Sequence, residues 1–113
     1  MELTFLYLPE FVREWDRLRL TDADLCALED LIARGPALAP VMRGTGGLRK
    51  IRFAPPSRHT GKSGAMRVGF AYVRVRAAII VVAVFSKNVA ANFTAAERAA
   101  IAERLRRIER SMK

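Results

Sequence analysis

Apolar residues alternate at the start of the chain. In LTFLYL, Leu3, Phe5 and Tyr7 recur at every second position, which predicts a first strand ended by Pro9. The period then lengthens: Phe11, Val12, Trp15 and Leu18 fall at helical spacing, and a second helix follows. Thr21 with Asp24 resembles a capping box, Leu25, Leu28 and Ile32 share a face, and Gly35-Pro36 ends the run. In LRKIRFA the period returns to two, so a strand there buries Ile51 and Phe53 and projects Lys50 and Arg52 together from the opposite face. PPSRHTGKSG reads as a loop. MRVGFAYV and AAIIVVAVF read as two antiparallel strands turning near RVR, and the unbroken apolar character of the second makes it central in its sheet. Thr94 and Glu97 form a capping box that opens a last helix, with Ile101, Leu105, Ile108 and Met112 on one side. The expected fold is α+β: a mostly antiparallel sheet of four strands, two N-terminal helices and a C-terminal helix, in one domain over residues 1–113.

Charge changes this picture more than composition does. Half the residues are apolar, as a packed core requires, and the net charge is +9. Its placement is uneven: between Asp30 and Glu97 there is no acidic residue, while Arg34, Arg43, Arg49, Lys50, Arg52, Arg58, Lys62, Arg67, Arg74, Arg76 and Lys87 all fall there. Such a field repels itself unless a polyanion neutralises it, and nucleic acid is the commonest polyanion in a cytoplasm. A cytoplasmic protein is expected. A lone Cys26 forms no internal disulfide, no secretory leader pattern opens the chain, and the longest apolar run, residues 77–85, is about half of a membrane-spanning helix.

Several chemistries find no support. Metal catalysis needs convergent carboxylates, histidines or thiolates, and the basic middle offers only His59. Neither a metal nor another cofactor is expected. Cys26, on a helix expected to pack, reads as a small core residue, and no serine sits in a nucleophile elbow. GKS looks like the end of a phosphate loop, but Pro56 stands where that loop needs glycine, and a strand follows instead of a helix. Cations alone suit one reaction. Attack of an RNA 2′-hydroxyl on its neighbouring phosphate needs a proton acceptor, a proton donor and positive charge around the phosphorane. A lysine crowded by other cations has a lowered pKa and serves as base, and arginine stays charged as a clamp. His59 is a further candidate acid or base.

GTGGLRKIR, followed by GKSGAMRV, then an apolar strand ending in FSKN, then TAAER, resembles the HigB-like branch of the RelE/ParE toxin superfamily of type II toxin–antitoxin modules, over roughly residues 42–101. The resemblance implies a RelE-like fold and a toxin that cleaves mRNA in the ribosomal decoding site. It also implies an antitoxin partner carrying a helix-turn-helix DNA-binding domain. By position it makes Lys50, Arg52, Arg67 and Lys87 the catalytic candidates, with Lys50 or Lys87 as base and Arg52 and Arg67 as phosphate clamps. RNA-contact candidates are Arg49, Arg58, Lys62, Phe70, Tyr72 and Asn88, although Arg49 faces the core side in the alternation and also suits a cap on a helix.

The chain departs from the family pattern where relatives often carry adjacent tyrosines and a KNE: it has Phe70-Ala71 before Tyr72, and Lys87-Asn88-Val89. An aromatic ring at 70 stacks on a base but offers no hydroxyl. Three readings stay open: a ribosome-dependent endoribonuclease, a ParE-like gyrase inhibitor, and an RNA- or ribosome-binding domain without catalysis.

Overall fold

The computed structural model describes residues 2–58, 65–85 and 93–112. Strand β1 (Thr4–Tyr7) leads into helix α1 (Pro9–Arg17) and helix α2 (Asp22–Ala33). Strands β2 (Arg49–Phe53), β3 (Met66–Val73) and β4 (Ala78–Phe85) follow, and helix α3 (Ala95–Ser111) closes the described chain. The sheet order is β1-β4-β3-β2. The apolar strand β4 is interior, as its composition predicts, pairing antiparallel with β3 and parallel with β1. This gives a mixed sheet in which the β2–β3 and β3–β4 pairings carry the antiparallel character.

Each helix starts at a local signal for its free N–H groups, a proline or a capping side chain. Proline at the first position opens α1, and full capping boxes open α2 (Thr21 with Asp24) and α3 (Thr94 with Glu97). One face of the sheet packs on α1 and α2. Phe11, Trp15, Leu28, Ile32, Phe53, Val68, Phe70 and Ile79 form its core. Aromatic rings run through it from Tyr7 to Phe11, Trp15 and Phe53, with successive centroids 5.6, 5.2 and 6.1 Å apart, tying β1 and α1 to the far edge strand. Val12, expected in the α1 core stripe, is instead 44% exposed, because the aromatic pair Phe11 and Trp15 takes the inward face. Cys26 is exposed rather than in the core, because the α2 stripe that packs is Asp24, Leu28 and Ile32.

The other face is covered by the 42–48 loop and α3 around Met42, Leu48, Ala71, Ile80 and Leu105. The GTGG run explains how. Buried Thr45 donates its Oγ1 hydrogen to the Met42 carbonyl (2.6 Å) and accepts from the Leu48 N–H (3.1 Å), closing a tight loop. Gly46, at φ +70°, lies so close to α3 that a Cβ there would stand 3.0 Å from the Cα of Ala102. These glycines seat a helix. Gly46→Ala is therefore expected to lower stability by about 2 kcal/mol, from the left-handed backbone and the clash together. Denaturant unfolding of the variant measures it.

Candidate nucleic-acid interface

Strand pleating decides which cations meet. In β2, Ile51 and Phe53 face α1 and α2, so Lys50 and Arg52 face the side covered by α3. Arg52 is the direct partner of Arg67, and Lys50 of Gly69. Arg67 in turn is the direct partner of Phe85 on β4. Side chains directly opposite each other share a face with Cβ atoms about 5 Å apart, so Arg52, Arg67 and Phe85 form one row across three strands. Lys50, Gly69 and Ala83 form the next row. Gly69 makes room for Leu48, whose Cδ1 would be 3.1 Å from a Cβ at that position.

Lys50 and Arg67 on this face have no carboxylate paired with them among the described residues. The carboxylates paired with arginine among the described residues are Glu10, Glu14 and Glu103, on α1 and α3. Lys50 and Arg67 are half-buried, and no side-chain hydrogen bond or ion pair engages either of them among the described residues. Half-buried cations held on strand interiors are preorganised for an anion.

The remaining candidates divide. Arg49 lies on the opposite face, donating from Nη1 to the carbonyls of Ala37 (3.0 Å) and Ala39 (2.7 Å), so it braces the turn after α2. Arg58 donates to the Leu18 carbonyl at the end of α1. Phe70 is 0% exposed in the α1/α2 core, so its ring offers no surface to a base. Tyr72 packs half-buried on the same core, with the Arg74 guanidinium 5.9 Å above its ring. His59, Lys62, Lys87 and Asn88 lie outside the described residues.

The alternation did not reveal Asp24, which is 0% exposed. Its carboxylate accepts from the Ser57 N–H (2.9 Å), the Ser57 hydroxyl (2.6 Å) and the Thr21 N–H (2.9 Å). It thus caps α2 and fastens the chain just beyond β2, beside Arg58. Burial alone raises its pKa; the hydrogen bonds from Ser57 and Thr21 outweigh burial and hold it below the usual aspartate range. The sequence shows only a capping box with a shorter acid than usual. The second contact, from a residue far along the chain, carries no local signal.

Beside the cation row, a cavity of about 320 Å³ lies between α3 and the sheet, bounded by Leu48, Ala83, Phe85, Phe93 and Ile101. The ion pair of Glu10 and Arg104 sits at its rim.

No protein-family model matches the chain. Among solved structures it is similar to the toxin RelE of E. coli, in a double arginine-to-alanine mutant in the free state. The TM-score is 0.56 at 16% identity, over 80% of this chain and 90% of that one. The three α-helices and four-stranded mixed sheet of the described residues, with this likeness, give the chain a RelE-like α+β fold.

Proposed function

We propose that this chain is the toxin of a type II toxin–antitoxin module, of the HigB-like branch, and that it cleaves mRNA on the ribosome without a metal. The observation that carries the reading is the convergence of Lys50, Arg52 and Arg67 on one sheet face inside a stretch without carboxylates. A protein that inhibits gyrase by occupancy has no need of cations converged on one spot. In the proposed step the RNA 2′-oxygen bonds to the adjacent phosphorus and gives up its proton. The bond to the 5′-oxygen breaks, and that oxygen takes a proton as it leaves. Arg52 and Arg67 stabilise the charge gathering on the phosphorane oxygens. Lys50 or Lys87 accepts the 2′ proton. The ribosome supplies the bound mRNA, in the cytoplasm, and an antitoxin with a helix-turn-helix domain neutralises the protein by presenting acidic or apolar groups to the same face.

One observation favours a second reading. Both tyrosines of the chain, Tyr7 and Tyr72, pack toward α1 and α2, so neither hydroxyl shares a face with Arg52 and Arg67. A domain that binds RNA or the ribosome without cutting has this same face. Programmed ribosomes incubated with the protein, followed by mapping of mRNA 5′ ends and with naked mRNA alongside, separate the two. The nuclease reading expects new 5′ ends only when ribosomes are present; intact mRNA on ribosomes that retain the protein supports binding alone.

A further inference from the structure

The cation row ends in an aromatic ring that the proposed chemistry does not use. Phe85 is the direct neighbour of Arg67 on the same face and meets Phe93 edge-on, with ring centroids 5.6 Å apart. Phe85 also belongs to the wall of the 320 Å³ cavity, which is mostly apolar apart from Glu10 and Arg104. An RNA strand has the same two-part character at close range: a phosphate anion and, a few ångströms away, a flat base with an apolar face. Phe85 thus belongs both to the row that holds Arg67 and to the largely apolar cavity wall. A lipid or an apolar peptide alone leaves Arg67 without a partner, and inorganic phosphate leaves the cavity empty.

We infer that the groove beside Arg67 is a nucleobase site in which Phe85 stacks on the base next to the phosphate held by Arg52 and Arg67. The inference rests on the RNA-directed reading above. It moves the base-contacting aromatic from Phe70, which is buried in the opposite core, to Phe85. It also assigns sequence preference to the cavity walls, among them Ala83, Phe93 and Ile101, between which a purine or pyrimidine must fit. The Glu10–Arg104 pair at the rim offers polar atoms to the edge of a base that reaches it.

The test uses the full chain and single-stranded RNA hexamers carrying 2-aminopurine at successive positions, whose fluorescence falls on stacking. Wild type is expected to bind and quench most strongly at one position. Phe85→Leu keeps apolar volume beside Phe93 and is expected to weaken binding about tenfold, with loss of that quenching and an unchanged salt slope. Arg67→Ala instead lowers the salt slope by about one. Ala100 is exposed on the α3 side of the groove, so Ala100→Trp fills the site without disturbing the core and is expected to weaken binding as Phe85→Leu does.

Wild-type affinity and quenching in both groove variants overturn the base site, as does absence of quenching by wild type. So does a peptide that fills the groove while RNA stays bound. Quenching that depends on Phe85, without cleavage on programmed ribosomes, leaves the base site standing and removes the nuclease reading. Cleavage whose rate and 5′-end pattern ignore both groove variants does the reverse.

Discussion

Arg67→Ala is expected to lower single-turnover cleavage on programmed ribosomes by about 100- to 1,000-fold, the loss typical of one preorganised donor to a developing oxyanion. Three features set the size of that effect. Arg67 sits on β3 between two paired strands, so it does not swing away from a misplaced phosphate. It is half-buried, which strengthens its field, and no carboxylate among the described residues offsets it. Its neighbour Arg52 retains part of the charge, which keeps the loss from being total. Arg67→Lys restores the charge but not the planar fork and is expected to recover only a fraction of the rate. A rate within a few-fold of wild type for Arg67→Ala, with RNA binding weakened, assigns the residue to binding and favours the domain that does not cut.

The largest effect on stability is expected at Asp24. Asp24→Ala strands two backbone N–H groups and a hydroxyl that the carboxylate now satisfies, at a cost of about 3 kcal/mol, or roughly 10 °C in melting temperature. The pH dependence has a definite sign. Because the folded-state pKa is lowered, the ionised carboxylate contributes fully above its unfolded value of about 3.9, and that contribution disappears as pH falls through the folded value. Thermal unfolding of wild type and Asp24→Ala is therefore expected to show a wide gap at pH 7 that narrows only below about pH 4. A gap independent of pH from 7 to 2 assigns Asp24 to packing rather than to a charged hydrogen-bonded anchor.

What the sequence makes legible follows from the range of each interaction. Strand β2 is readable because its two faces differ in chemistry at every step: Ile51 and Phe53 enter the core, and Lys50 and Arg52 do not. The capping boxes of α2 and α3 are readable because donor and acceptor lie three residues apart. Phe70 was a readable error. It stands three positions from Arg67 in one strand, and an odd offset puts two side chains on opposite faces. Cys26 and Val12 misled because apolar character alone does not say which side of a short helix packs. Phe85 was beyond local reading. In the sequence it is one more apolar residue at the end of an apolar strand, and only its pairing with Arg67 places it beside a cation. The role of the GTGG run is likewise beyond local reading, because Gly46 seats a helix only through Ala102, more than fifty residues on.

The facing of Arg52 and Arg67 across adjacent strands sets two like charges against each other. Like charges held opposite each other on a sheet repel, and folding fixes them there before any phosphate arrives. Simple salt relieves that repulsion by screening, and the same screening loosens the grip on RNA. Ionic strength thus pulls the two properties apart: the buffer in which the isolated chain is most comfortable is the one in which it holds its target least. A polyanion resolves the conflict, because it quenches the repulsion and is itself the ligand, so the chain is at its most stable when occupied.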